Sequence, residues 1–309
     1  MSEEALASWR DGAAKQTIIE FVRQVSTPGP HYVSPAERVA AFDHDGTLWC
    51  EKPMYVQMAY ILDNMKERIE GIPALAENPT IRGILLGNLA AVRRVSIAGF
   101  LELVSSFGPG PSPDEYEASV AQWLAYAVHP RFGVAYTQLV YQPMIELLAY
   151  LRSSGFKVAI CTGGGIEFVR VIAEELYGVA RECVIGTAMS YAVKERSGHL
   201  VLDRAPSLYG PANEGNGKPI NIQAHIGRQP ILAVGNSTGD IEMLRMAGER
   251  PLSLCLMINH DDAAREYAYE GRAATVKTTE SAVTMARRRG WTVVSMKNDW
   301  QNVFAFNSS

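Results

Sequence analysis

Short apolar runs that end at polar or glycine-rich turns recur along the chain, and helical patterns follow several of them. Strands buried on both faces of a parallel sheet are apolar continuously, because helices cover both sides. The pattern therefore predicts an α/β fold with a doubly wound parallel sheet. The predicted strands are residues 39–42, 158–161, 183–185, 231–234, 252–258 and 291–296.

About 115 residues separate the first two predicted strands, far more than a βα connection needs. Three- and four-residue spacings of apolar side chains inside this interval favour helices, and one such set ends with Val120, Trp123 and Leu124. We therefore predict a helical cap over residues 53–140. It is inserted into a core domain formed by residues 1–52 and 141–309.

Two smaller elements are also predicted. Apolar residues at near-helical spacing over residues 4–25 predict an amphipathic leader helix that ends at the Pro- and Gly-rich residues 26–30. Residues 186–217 alternate apolar and polar positions around Ser197 and Gly198, which predicts a short hairpin.

Composition excludes several classes of protein. Of 309 residues, 47% are hydrophobic and 20% are charged, which is typical of a globular chain with a sizeable core. The net charge of −4 argues against a nucleic-acid partner. No run approaches the ~20 apolar residues of a membrane span, and charged residues interrupt the first twenty positions. We expect a cytoplasmic protein without a membrane partner.

Two aspartates, Asp43 and Asp45, follow the first predicted strand directly. Side chains two residues apart point to the same side of an extended chain, so these carboxylates converge. Like charges at one place require a divalent cation or a retained proton. The spacing therefore indicates a magnesium site, an acid/base pair, or both, and an Asx turn followed by a helix cap is the structural alternative.

Polar residues follow two further strands. Thr162 and Gly163 lie between the second strand and a predicted helix, where a hydroxyl and free backbone amides favour an anion such as phosphate. Asn236 and Asp240 follow the strand at 231–234, and Lys218 precedes another predicted helix. The carboxyl ends of parallel strands meet at one edge of the sheet, so we expect these side chains to share a crevice.

The order and spacing of these motifs resemble the haloacid dehalogenase (HAD) superfamily. Residues 43–47, with the sequence DHDGT, are similar to its first motif. Thr162 is similar to the second motif, Lys218 to the third, and Asn236 with Asp240 to the fourth. The long insertion after the first motif is similar to the helical cap of phosphoserine-phosphatase-like members.

The resemblance implies a magnesium-dependent phosphatase that acts on a small phosphorylated metabolite. Asp43 would attack phosphorus and carry an aspartyl-phosphate intermediate. Asp45 would act as the general acid and then as the base. Thr162, the Gly163 amide and Lys218 would bind the phosphate.

The resemblance also implies the metal ligands. Mg²⁺ would be held by the Asp43 carboxylate, the Asp45 backbone carbonyl and Asn236, with Asp240 behind them. Many relatives have an acidic ligand where this chain has Asn236. One negative charge fewer predicts weaker metal binding or a changed metal selectivity.

Other functions of the same fold stay open at the level of sequence. Carbon–halogen hydrolysis has no alkoxide to protonate, so Asp45 favours phosphate esters. A phosphomutase or phosphotransferase shares both aspartates, and a non-catalytic binder of phosphorylated ligands is supported by Asn236 alone. Glu51 is a candidate to hold an amino or hydroxyl group of the substrate, and Arg93 and Arg94 are candidate carboxylate partners. Packing of the hinge between cap and core is the alternative role for Glu51 and its neighbours.

Overall fold

The computed structural model describes residues 6–69, 112–273 and 276–307. Its strands are β1 (Val39–Phe42), β2 (Lys157–Gly165), β3 (Val184–Arg196), β4 (His199–Tyr209), β5 (Leu232–Gly235), β6 (Leu254–Asp261), β7 (Ala268–Tyr269) and β8 (Thr292–Ser295). They form one sheet in the order β4-β3-β2-β1-β5-β6-β7, and β8 also pairs with β6.

The centre of this sheet is parallel. β1 lies between β2 and β5, and the pairs β2–β3, β5–β6 and β6–β8 are parallel as well. β4 and β7 pair antiparallel with their neighbours. Every residue of β1 is buried, as expected for a strand covered on both faces. The predicted doubly wound α/β sheet is confirmed.

Helices cover both faces of the sheet. They are α1 (Ala13–Ser26), α2 (Val56–Ile69), α3 (Pro113–Tyr126), α4 (Gln142–Ser153), α5 (Ile166–Tyr177), α6 (Gly217–Ile226), α7 (Ile241–Gly248), α8 (Ala282–Arg288) and α9 (Met296–Asp299). Ala40 and Phe42 of β1 join a core cluster that includes α1, α4 and α5, whereas Ala41 joins a second cluster with α6, α7 and α8. Alternate side chains of one strand therefore serve opposite cores.

The leader helix is shorter than predicted, since α1 begins at Ala13. The preceding residues run along the C-terminal segment instead: Arg10 N–H donates to Asp299 O at 2.8 Å, and Gln301 N–H donates to Ser8 O at 2.7 Å. Trp9 is buried against Trp300, with ring centroids 6.1 Å apart. A tertiary partner, and not a helix face, accounts for the apolar residue at position 9.

Two helices of the predicted cap are described. α3 begins at a capping box in which Ser112 and Glu115 bond to each other's backbone N–H, and Val120, Trp123 and Leu124 are buried as predicted. The Trp123 indole donates to Asp63 of α2 at 3.1 Å. The other predicted cap helices, with Arg93 and Arg94, lie outside the described residues, and the domain boundaries stay a prediction.

The predicted hairpin is confirmed and is longer than expected. β3 continues from the sheet into the hairpin, and the pairing runs from Ala188 opposite Tyr209 to Arg196 opposite His199. Ser197 and Gly198 form the turn with φ of 53° and 79°. Two consecutive positive φ values are typical of a type I′ turn, which matches the twist of the strands. Within the described ranges, no helix has both the length and the apolar character that crossing a bilayer requires.

Candidate active site

Asp43, Lys218 and Asp240 meet at the carboxyl edge of the sheet. Asp43 directly follows β1, and Lys218 lies in the first turn of α6. Lys218 Nζ is 2.6 Å from Asp43 Oδ1, 2.7 Å from Asp240 Oδ1 and 2.6 Å from the Cys161 carbonyl oxygen. The predicted convergence of these residues is thus present in the fold.

Burial and charge act against each other in this group. Burial raises the pKa of Asp43 well above its ordinary value, and the nearby Lys218 ammonium opposes that rise. Burial alone would lower the pKa of Lys218, but the Asp240 and Asp43 carboxylates outweigh it and raise that pKa. Lys218 is therefore cationic, and two acidic groups share its single positive charge. A divalent cation beside Asp43 would balance the remaining negative charge.

Asp45 lies two residues after Asp43 and is the more exposed of the two aspartates. Its side chain is 18% exposed, and its Oδ1 accepts the Trp49 indole N–H at 2.8 Å. Burial raises the pKa of Asp45 to about 7, although the Trp49 hydrogen bond lowers it in part. Asp45 thus carries a proton in a substantial fraction of molecules at neutral pH, as a general acid requires.

His44 is buried between its aromatic neighbours, and its Nδ1 lies 3.9 Å from Asp45 Oδ1. Its ring packs 4.5 Å from the Trp49 ring, and its Nε2 lies 3.0 Å from the Tyr177 hydroxyl. Burial lowers the pKa of His44 to about 3, so the imidazole is neutral. His44 is a packing residue behind the first motif.

Thr162 Oγ1 and Asp45 Oδ2 both lie close to Gly164, near the end of β2. The Thr162 hydroxyl accepts the Gly164 N–H at 3.0 Å. A Cβ placed on Gly164 would lie 3.2 Å from Thr162 Oγ1 and 3.7 Å from Asp45 Oδ2, so the absence of a side chain keeps this space open. Gly163 is held through its carbonyl, which accepts the Thr187 hydroxyl at 2.9 Å.

Gln57 and Trp49 contact the site residues. The sequence placed Trp49 only among the neighbours of Glu51, as a candidate for substrate choice or hinge packing, and gave Gln57 no role. Gln57 Oε1 accepts the Gly165 N–H at 2.8 Å, which joins α2 to the last residue of β2. Trp49 bonds to Asp45 across one turn of the first-motif loop. A tryptophan four residues after an aspartate only weakly indicates this hydrogen bond in the sequence. Nothing in the sequence around Gln57 indicates its contact, apart from its position on α2.

Asp240 organises the loop after β5. Its Oδ2 accepts the Asn236 N–H at 3.0 Å, the Ser237 N–H at 2.8 Å and the Ser237 hydroxyl at 3.0 Å. Because its other oxygen holds Lys218, Asp240 connects the fourth motif to the third. Asp240 therefore acts on the site by holding Lys218 and the backbone of Asn236 and Ser237 in place.

The position of the Asn236 side-chain amide bears on whether a metal ion fits beside Asp43. In one orientation its oxygen lies 3.1 Å from the Asp45 carbonyl oxygen and 3.2 Å from Asp43 Oδ2, and in the reversed orientation the NH₂ donates to both. In the first orientation the Asn236 oxygen also accepts the Thr47 hydroxyl at 3.3 Å, and a cation among the three oxygens would favour that orientation over the reversed one. Carboxylate, carbonyl and amide oxygens are the donors that Mg²⁺ prefers. The residues therefore fit the implied metal.

A metal at this point would be held by a mixed set of donors. Among the described residues there is no cluster of three or more His, Cys, Asp or Glu side chains able to hold a metal ion. Asp43 contributes a carboxylate, whereas Asp45 contributes a backbone carbonyl and Asn236 an amide. The donors of this site would therefore include a backbone carbonyl and a side-chain amide as well as a carboxylate.

Glu51 lies beside these oxygens and is 5% exposed. Its Oε1 is 3.5 Å from Asn236 Nδ2 and 3.1 Å from Lys52 Nζ. The carboxylate adds negative charge next to the amide that replaces an acidic ligand. Arg93 and Arg94, the other substrate candidates, fall in the part of the chain that is not described.

Comparison with known proteins identifies the family. The family model for haloacid dehalogenase-like hydrolases matches residues 40–245. A search of the curated proteins found no match.

Solved structures match this chain at low sequence identity. A conserved, functionally unknown protein from Anaerococcus prevotii is 14% identical with a TM-score of 0.53, and the match covers 81% of this chain and 86% of that one. A protein of unknown function from Bordetella pertussis is 18% identical with a TM-score of 0.49, covering 84% and 98%. A probable phosphoserine phosphatase from Vibrio cholerae is 16% identical with a TM-score of 0.41, covering 89% and 72%.

The matched residues 40–245 include Asp43, Thr162, Lys218, Asn236 and Asp240, so the family match and the crevice at the edge of the sheet coincide. The resemblance seen in the sequence motifs is confirmed. The chain belongs to the haloacid dehalogenase-like hydrolase family.

Proposed function

We propose that the protein is a magnesium-dependent phosphomonoesterase that hydrolyses a small phosphorylated metabolite through an aspartyl-phosphate on Asp43. The observation that carries the proposal is the pair of aspartates at the end of β1: Lys218 Nζ holds Asp43 at 2.6 Å, and Asp45 follows two residues later, where burial raises its pKa to about 7. An alkoxide leaving group needs a proton donor, whereas a halide does not. The pair therefore supports phosphate ester hydrolysis over carbon–halogen hydrolysis.

In the first step, an Asp43 carboxylate oxygen attacks phosphorus and the bond from phosphorus to the ester oxygen breaks. Asp45 gives its proton to the departing oxygen, and a neutral alcohol leaves. Trp49 bonds to Asp45 Oδ1, so Oδ2 is the oxygen directed to the space beside Gly164. The products of this step are phosphorylated Asp43 and an ionised Asp45.

In the second step, Asp45 takes a proton from water while the water oxygen attacks phosphorus. The bond from phosphorus to Asp43 breaks, inorganic phosphate leaves, and both aspartates return to their starting states. The same carboxyl group thus serves as acid and then as base. Its pKa near neutrality suits both roles.

The phosphoryl group would be bound by the Thr162 hydroxyl, the Gly163 amide and the Lys218 ammonium. Lys218 also holds Asp43 in place through the 2.6 Å contact. Bound by Asp43, the Asp45 carbonyl and Asn236, Mg²⁺ would neutralise charge on the phosphoryl oxygens. These residues orient the ester so that phosphorus faces Asp43.

The test is release of inorganic phosphate from p-nitrophenyl phosphate with added Mg²⁺, with chelator, and with an Asp43→Asn variant. We expect activity that requires the metal and falls about 10³-fold or more in the variant, because the nucleophile is lost. Asp11→Asn is a matched control, since the Asp11 side chain is 92% exposed.

The outcomes separate the alternatives. Equal rates for wild type and Asp43→Asn would contradict the nucleophile assignment. A wild type that binds vanadate without turnover would favour a non-catalytic binder. Transfer of phosphate to an added alcohol in preference to water would favour a phosphotransferase or mutase.

A further inference from the structure

A buried polar cluster lies against the first-motif loop, outside the crevice. His260, near the end of β6, places Nε2 2.7 Å from the Gly46 carbonyl oxygen and Nδ1 3.2 Å from Glu266 Oε2. His260 is 3% exposed and Glu266 is 0% exposed. The steps of the proposed reaction use neither side chain.

The contacts define the charges of the pair. The Gly46 carbonyl can only accept, so Nε2 carries a proton, and an ionised Glu266 also only accepts, so beside an ionised Glu266 Nδ1 carries the second proton. The ring also stacks on Tyr269, with centroids 4.2 Å apart, which favours a cationic imidazolium.

Glu266 is saturated with donors. Its Oε1 accepts from the Cys50 thiol at 3.0 Å and from the Tyr141 hydroxyl at 3.1 Å, and its Oε2 accepts the Tyr267 N–H at 2.6 Å as well as His260. Burial alone would raise the pKa of Glu266, but the His260 and Cys50 hydrogen bonds outweigh it and lower that pKa. Four donors around one buried carboxyl group favour its ionised form, in which His260 Nδ1 donates to it.

The bond to Gly46 acts on the turn that carries the metal-facing carbonyl. Gly46 has φ of 74°, its N–H donates to the Trp49 carbonyl at 2.9 Å, and its own carbonyl is held by His260. Both peptide planes that flank Gly46 are therefore oriented by hydrogen bonds. The peptide plane between Asp45 and Gly46 contains the Asp45 carbonyl, whose oxygen lies 3.1 Å from the Asn236 amide.

We propose that His260 and Glu266 form a buried ion pair that positions the Asp45–Gly46 turn, so that the Asp45 carbonyl faces Asp43 and Asn236. His260 is a positioning residue, because it acts on the metal ligands through Gly46. The inference deepens the proposed function and rests on its metal site. Groups that orient metal ligands commonly change metal affinity when they are removed.

The same carboxylate also joins both chain connections between the predicted cap and core. Cys50 lies on the connection that leaves the core, and Tyr141 lies where the chain returns. Glu266 thus ties the hinge segments to the catalytic turn. The Asp45–Gly46 turn is thus linked through His260 and Glu266 to both of these chain connections.

The experiment compares two substitutions of His260. In His260→Gln the side-chain amide nitrogen reaches the position of Nε2 and still donates to Gly46, whereas in His260→Asn it mimics Nδ1 and donates only to Glu266. Mg²⁺ affinity is measured by calorimetry without substrate, and kcat and KM are measured separately. We expect His260→Asn to weaken Mg²⁺ binding about tenfold or more and to lower kcat, and His260→Gln to stay within about threefold of wild type.

Equal losses in both variants, or wild-type affinity in both, would overturn the proposal, with thermal melting reporting on folding. A second measurement needs no folded variant at position 260. Nitrogen NMR of histidine-labelled wild type, with His260 identified by its hydrogen-bond coupling to Glu266 and Gly46, should show both ring nitrogens protonated at neutral pH. A neutral tautomer would contradict the ion pair.

Failure of the proposed function gives a different result. A wild type that binds Mg²⁺ but releases no phosphate contradicts the phosphatase, and the difference between the two His260 variants in Mg²⁺ affinity still decides the positioning role. A wild type that does not bind Mg²⁺ contradicts both.

Discussion

Lys218 and Asp240 form an ion pair at 2.7 Å, and each residue is only 1% exposed. The ammonium is shared with Asp43 at 2.6 Å, so one buried cation links the third and fourth motifs to the first. Removal of one member of a buried charged group leaves the others uncompensated. Stability and activity are therefore coupled at this point.

Lys218→Met should destabilise the protein by about 3–5 kcal/mol, because two buried carboxylates lose their cation. Urea unfolding measures the free energy of unfolding. Lys194→Met is the matched control: Lys194 contacts Asp203 at 2.7 Å, but its side chain is 48% exposed. Exposed ion pairs contribute about 1 kcal/mol or less, so similar losses in the two variants would contradict a structural role for Lys218.

Asn236→Asp should bind Mg²⁺ about tenfold more tightly than wild type, because a carboxylate adds charge to the ligand set. The metal-free variant should melt at a lower temperature, since the new charge lies beside Asp43 and within 3.5 Å of the Glu51 carboxylate. Melting temperatures with and without Mg²⁺ measure both effects. Unchanged or weaker metal binding would argue against Asn236 as a ligand.

Gly271→Ala should disturb the fourth motif. A Cβ at position 271 would lie 1.8 Å from the Asn236 carbonyl oxygen, so the backbone of Asn236 has to move. We expect a loss of about 1–3 kcal/mol in unfolding free energy and weaker Mg²⁺ binding. At Gly29 the nearest atom to a new Cβ is 3.9 Å away, so Gly29→Ala should leave both quantities unchanged.

Glu266 should stabilise the fold in a manner that depends on pH. Its pKa in the folded state is lowered from 4.5, so its contribution is fully present above about 4.5 and is lost as the pH falls through the lower folded value. Glu266→Gln should therefore be destabilised by about 3–5 kcal/mol at pH 7, and the difference should shrink below pH 4.5.

Urea unfolding of both proteins from pH 7 to pH 3 measures this difference. The side chains that bond to Glu266 are His260, Cys50 and Tyr141, and His129 and Tyr269 also lie near enough to interact with its charge. The thiol and the phenols stay neutral in acid, so a difference that shrinks below pH 4.5 reports protonation of Glu266. A difference that is constant with pH would show that Glu266 is not ionised in the fold.

The main architecture follows from local patterns. Continuous apolar runs located the parallel strands, since a strand with two covered faces tolerates few polar residues. The approach of Asp43 and Asp240 followed from one rule, that parallel strands end at a common edge, whereas Lys218 lies in the first turn of a helix and its place in the site was implied by the family resemblance. The hairpin turn followed from the Ser197–Gly198 pair, because few residues accept positive φ.

Contacts between distant segments were not predictable in this way. His260 reaches Gly46 across 214 positions of sequence, and Gln57 reaches Gly165 across 108. No local periodicity encodes such pairs. The predicted leader helix does not form over residues 6–12 for the same reason, since Trp9 packs on the distant Trp300.

The position of β1 has a consequence for the order of assembly. This short strand leads directly to Asp43, the proposed nucleophile, yet Val39 pairs with Lys157 and Ala40 pairs with Leu232, so both neighbours come much later in the chain. Contacts of such large sequence separation form slowly, because long loops have to close first. A nascent chain that ends before residue 232 contains Asp43 without one wall of its crevice. Catalytic competence therefore waits until the residues from 232 onward have left the ribosome.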